Sequence, residues 1–88
     1  MEKCIYHFNY KIGKLYRFNG KEEKIFLFNS KMTVCNLNNG DIICFLTEPY
    51  SSGIETKSYF CKILHSNGSI GEMFWDKKTY NVFTLVSK

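Results

Sequence analysis

Asn-Gly occurs three times in these 88 residues, at Asn19-Gly20, Asn39-Gly40 and Asn67-Gly68. Both residues tolerate the positive φ of tight strand-connecting turns, so Asn-Gly between apolar runs is the strongest local signal for a hairpin. A chain punctuated this way has little room for long helices, and no stretch between the turns carries a helical repeat. The intervening segments read as short strands. Cys4, Tyr6, Phe8 and Tyr10 alternate along the chain like one face of a half-buried strand. Further strands are expected at 14–18, 25–28, 32–37, 41–47, 58–66, 69–75 and 80–86. A polar loop is expected at 49–57, and a 3₁₀ turn at 76–79.

Composition agrees with a β reading. Eight Phe, six Tyr and one Trp favour strands, while Ala, the best helix former, is absent. At this length the chain holds one domain, 1–88, with one core of modest size. Recurrent Lys, Asn, Ile, Phe and Tyr reflect AT-rich codons, which suggests a phage or viral source. No segment approaches the ~20 apolar residues of a membrane span, and no signal peptide opens the chain. An intracellular, cytoplasmic protein is expected, in the host cytoplasm if the source is viral. The four cysteines, Cys4, Cys35, Cys44 and Cys61, form no CxxC pair. Cys4 and His7 would point to opposite faces of a strand, and Cys61 and His65 would stand roughly 13 Å apart along one. These are the cysteines of a thiol-containing core, not of a metal site or a disulfide framework. His7 and His65 read as strand surface.

The segments around Asn67-Gly68 make the clearest hairpin. With a two-residue turn, His65 pairs with Ile70, Ile63 with Glu72 and Cys61 with Phe74, and Leu64 faces Gly71. The missing side chain at Gly71 leaves space for a close neighbour. Five to seven short antiparallel strands in one small domain suit a small barrel.

In this order the chain resembles the Src homology 3 barrel over roughly 14–86, with residues 1–13 as an N-terminal extension or extra strand. Lys14-Leu15-Tyr16-Arg17-Phe18 is similar to the family's opening Ala-Leu-Tyr-Asp-Tyr strand. Cys35-Asn36-Leu37-Asn38-Asn39-Gly40-Asp41 is similar to its Leu-x-Phe-x-x-Gly-Asp stretch, and Gly68-Ser69-Ile70-Gly71 to its Gly-x-x-Gly. Tyr80-Asn81-Val82 stands near the family's closing Asn-Tyr-Val. The resemblance implies an SH3-like barrel and an aromatic groove for proline-rich peptides. That groove is altered here. Tyr16 matches one groove tyrosine, Phe18 replaces the other, Tyr59 or Phe60 takes the Trp position, and Phe74 takes the Pro position.

Nothing in the sequence converges on catalysis. Two His and eight scattered carboxylates form no nucleophile–base or metal motif, so no catalytic residue, metal, cofactor or small-molecule substrate is expected. The favoured expectation is a binding or assembly module, with a protein partner or a second copy meeting Tyr16, Tyr50, Trp75 and Tyr80. The alternative is nucleic acid. Residues 1–31 carry a net charge of +4 and residues 32–88 a net charge of zero. Lys14, Arg17, Lys21 and Lys24 stand among aromatic residues that suit stacked bases.

Overall fold

The computed structural model describes residues 6–51 and 58–86. Within them eight strands form one antiparallel sheet: β1 (Leu15–Phe18), β2 (Glu23–Phe26), β3 (Thr33–Leu37), β4 (Ile42–Phe45), β5 (Tyr50–Ser51), β6 (Tyr59–His65), β7 (Ile70–Phe74) and β8 (Phe83–Leu85). Their order is β3-β2-β7-β6-β4-β1-β8, with β5 also alongside β6. The expected all-β class is therefore observed. Residues 76–82 make successive hydrogen-bonded turns, not a 3₁₀ helix. Cys4 and residues 52–57 of the expected polar loop lie outside the described residues.

The Asn-Gly signals serve two different purposes. Only Asn67-Gly68 closes a hairpin, between β6 and β7. At the other two the chain turns a corner, because β1 does not pair with β2, nor β3 with β4, among the described residues. The second hairpin, β2–β3, closes through residues 27–32, where Asn29 takes a left-handed φ of 53°.

The β6–β7 register is one residue away from the expected one. Leu64 faces Ile70, Ile63 faces Gly71 and Lys62 faces Glu72. A three-residue loop causes this shift. Gly68 N–H donates to the His65 carbonyl, and Gly68 alone in the loop has a positive φ, 93°. A type I turn followed by a left-handed glycine adds one residue to the loop. Since side chains alternate, the slip changes which β7 residues face inward. Gly71, Met73 and Trp75 face the core, and Glu72 faces out.

The expected close neighbour at Gly71 is present. A Cβ there would lie 2.5 Å from the Phe26 carbonyl oxygen and 2.6 Å from Ile25 Cγ2. The bare backbone lets β2 cross against β7.

On the other side of β6, Phe45 faces Ile63 and Tyr50 faces Phe60. The β4–β5 side thus takes five steps where β6 takes three. The extra residues bulge next to Pro49, which could not donate to a continuous ladder. Thr47 Oγ1 accepts the Lys62 N–H at 3.1 Å across this break.

The sheet is not closed into the barrel that the resemblance implies, since its end strands β3 and β8 do not pair. Aromatic rings supply cover for the core instead. Residues 6–10 form no strand, yet their alternation sends Tyr6, Phe8 and Tyr10 onto the core. Phe8 sits edge-on to Phe45 and Trp75, and Tyr10 stacks on Phe45 with ring centroids 5.2 Å apart. Trp75 Nε1–H donates to the Tyr6 carbonyl, and Phe83 N–H donates to the Tyr10 hydroxyl. Burial of rings thus replaces the strand pairing expected of this segment.

Candidate functional site

The four aromatic residues expected to line a protein groove are not brought together. Tyr16 and Trp75 belong to the buried core, where Tyr16 packs on Tyr10 and Phe45, and Trp75 on Phe8, Phe45 and Phe83. Neither presents a face to a partner in this fold. Tyr80 is half-buried against Tyr6, and Tyr50 is half-buried on the outer face of the sheet. The four basic residues are exposed and belong to different elements. Arg17 is on β1 and Lys24 on β2, with β4, β6 and β7 between those strands in the sheet; Lys14 precedes β1 and Lys21 lies in the corner that follows it.

The outer face carries a feature that the individual segments do not announce. Leu15 faces Cys44, Cys44 faces Leu64 and Leu64 faces Ile70, so one apolar row crosses β1, β4, β6 and β7. Val86, whose N–H donates to the Leu15 carbonyl, extends the row beside β1. Leu15 is 43% exposed, Leu64 36%, Ile70 47% and Val86 43%. Beside it Leu15, Ile42, Cys44, Leu64 and Ser66 help line a shallow depression of about 290 Å³. In the next row of the same face stands the exposed Arg17, which faces Ile42. These four strands contain one acidic residue, Glu72.

Glu72 is removed from that electrostatic balance by burial. It is 2% exposed. Its Oε1 accepts the Asn29 N–H at 2.9 Å, and its Oε2 accepts the Tyr50 hydroxyl. Burial first, and then the bond to Glu72, hold the Tyr50 phenol well above its ordinary range. Lys62, which faces Glu72 across the β6–β7 pair, places Nζ 4.8 Å from the Phe28 ring centroid and 5.6 Å from that of Tyr50. Two donors thus satisfy the carboxylate, and two rings hold the ammonium. The assembly clasps the β2–β3 turn and β5 onto the outer face, with Phe26, Phe60 and Phe74 packed alongside.

A second polar cluster joins two turns. His65, expected at the surface, is buried because strand alternation places it on the same inward face as Cys61 and Ile63. Its Nδ1 accepts the Asn67 N–H, which assigns the proton to Nε2 as donor to Asp41 Oδ2 at 3.0 Å. Asp41 also accepts the Asn38 N–H at 2.8 Å. That backbone bond above all, opposed by burial and aided by His65, holds its carboxyl below the usual range. Both ring nitrogens of His65 are thus engaged, one by Asp41 and one by the Asn67 N–H.

A larger hollow of about 650 Å³ lies between the corner at 19–23, Asn39, Lys78 and Val82. It sets Lys21 and Lys78 beside Glu22 and Glu23, a mixed charge without a preferred ligand sign. Burial and the nearby Asp76 raise the Glu23 carboxyl above its ordinary value. Among the described residues no three His, Cys, Asp or Glu are grouped as a metal site would require, and no helix is long and apolar enough to cross a membrane. Cys35, Cys44 and Cys61 form no disulfide among the described residues. No family model, no curated protein and no solved structure matches this chain.

The sequence signal for the outer row was present but scattered. Leu15, Cys44, Leu64 and Ile70 lie in four different strands, and only the pairing registers align them.

Proposed function

We propose that this chain is a non-enzymatic protein-binding or assembly module, and that it docks its partner on the outer face of β1, β4, β6 and β7. The observation that carries this reading is the exposed row Leu15–Cys44–Leu64–Ile70, extended by Val86. A contiguous apolar surface on a small domain marks an interaction site more often than scattered single residues do. The basic residues bordering it, Lys14 and Arg17, fit a partner with apolar side chains and an acidic rim. This reading moves the docking surface away from Tyr16 and Trp75 and keeps the binding-module expectation. The Src homology 3 likeness of the β1, Asn39-Gly40 and Gly68–Gly71 segments supports a small binding domain as its general character.

The test compares wild-type chain with Leu64→Lys and Ile70→Lys in capture from cells, followed by reconstitution with each purified candidate. Both substitutions sit at exposed positions and leave the core intact. A partner that binds wild type directly and loses at least tenfold in affinity with either variant supports the proposal. A direct partner that binds both variants as tightly as wild type overturns the assignment of this face.

A further inference from the structure

Strand β3 is one end of the sheet and has a single hydrogen-bonded neighbour, β2, among the described residues. Edge strands of soluble proteins are ordinarily defended by charge, proline or a bulge, because their unpaired backbone groups are a template for another strand. From Met32 to Asn38 the sequence is Met-Thr-Val-Cys-Asn-Leu-Asn, with no charge and no proline. One irregularity is present: Ile25 faces Cys35 and Phe26 faces Thr33, which leaves Val34 as the extra residue. Cys35 to Leu37 then keep regular pairing with β2. The approach to this edge is apolar, with Met32 66% exposed, Leu27 47% and Val34 40%.

We propose that β3 is where two copies of this chain join, antiparallel, into a continuous two-fold sheet. Several observations favour a second copy over other occupants. An antiparallel pair of identical strands closes on itself, so one interface ends the assembly. Charge permits it. With the two-fold axis at Val34, Cys35 or Asn36, Lys31 faces Leu37, Asn39 or Asp41 of the second copy, and no cation faces another. The opposite edge is a poorer match for β3. β8 spans only Phe83–Leu85, and its Thr84 hydroxyl already accepts a hydrogen bond from Asn19 Nδ2. A β3-to-β8 contact would also leave one β3 edge unpaired in a two-chain assembly, which a β3-to-β3 pair does not. Backbone bonds along β3 would supply affinity, and burial of Val34 and Met32 would add to it.

This interface is separate from the outer-face row and does not rest on it. The experiment is sedimentation equilibrium of the full chain over a concentration series into the millimolar range, with Val34→Lys, Thr33→Lys and Leu64→Lys beside wild type. Thermal unfolding of each variant verifies that it is folded. The expected result is a reversible species of twice the chain mass in wild type and Leu64→Lys. At least one folded β3 variant should show a tenfold or greater weakening. Amide exchange in wild type should slow at residues 33–37 as the dimer forms. A wild-type chain that stays monomeric at every concentration overturns the proposal. So does a dimer that survives both β3 substitutions, or one that Leu64→Lys dissolves.

Discussion

Gly71 stands where β2 crosses β7 with no space for a methyl group, since any Cβ would press on the Phe26 carbonyl and Ile25. Backbone cannot yield as a flexible side chain can. Gly71→Ala should therefore destabilise the fold by roughly 1–3 kcal/mol, measurable by urea denaturation. Equal stability of the two proteins would contradict the close approach of β2. Tyr50 permits a second test. Its phenol is raised by burial and then by Glu72, so the folded state resists its ionisation more than the unfolded state does. The stability linked to it is complete below the unfolded phenol's value of about 10 and declines as pH rises beyond that. Wild type should lose stability above that pH more steeply than Tyr50→Phe, followed by thermal unfolding across pH 9–11. At neutral pH Tyr50→Phe should cost about 1–3 kcal/mol, because Glu72 loses one of two donors while buried. Asp41 has the opposite sign. Its lowered carboxyl adds stability above the unfolded value of about 4, lost as pH falls below it. Asp41→Asn should flatten the acid limb of the stability curve. Individual residues were legible in the sequence to different degrees. Gly71 announced a close contact, because a missing side chain in a strand has few other uses. Glu72 did not announce its place on the outer face, because a single-residue change in the β6–β7 register decides which way it points. His65 did not announce its burial, because an ionisable side chain near a turn reads as surface even on the alternating face of Cys61 and Ile63.

At the scale of elements, strand positions follow from alternation and aromatic content, and seven of the eight strands fall within or across expected segments. The exception is β5, a two-residue strand beyond a bulge, too short to leave a periodic signal. Pairing was far less legible. Three identical Asn-Gly signals yield one hairpin and two corners, because the dipeptide specifies a local reversal and not which strands meet after it. The segment at 6–10 has strand alternation but serves as an aromatic strap, since side-chain burial alone satisfies its pattern. The strap also gives a direct prediction. Phe8→Ala removes a half-buried ring from Phe45 and Trp75 and should cost about 2 kcal/mol, below the 3–5 kcal/mol of a fully buried Phe. Trp75 fluorescence should shift to longer wavelength as water reaches the indole. A variant with unchanged stability and emission would mean that the strap contributes nothing to the core.

At the scale of the whole molecule, two features of the described residues stand out: the apolar row across the outer face and the sheet edge at β3. They differ in what they offer. The row presents side chains bordered by Lys14 and Arg17, whereas the edge presents backbone and suits a strand. The same charge distribution bears on the nucleic-acid alternative. Lys14, Arg17, Lys21 and Lys24 are close in sequence, but the sheet separates β1 from β2 by three strands. The corner at 19–22 nonetheless joins the two strands directly, while Tyr16 and Phe18, the aromatic residues nearest these cations in sequence, are committed to the core. The measurement that tests the central claim most directly is a backbone-amide chemical-shift titration of the full, isotope-labelled chain. A short peptide of apolar residues with acidic flanks is added first, and then, to a fresh sample, a mixed single-stranded oligonucleotide at low and high salt. Peptide-induced shifts should concentrate at Leu15, Cys44, Leu64, Ile70 and Val86, with little response to the oligonucleotide. Silence with the peptide, together with oligonucleotide shifts over Lys14, Arg17, Lys21 and Lys24 that shrink steeply as salt rises, would contradict it.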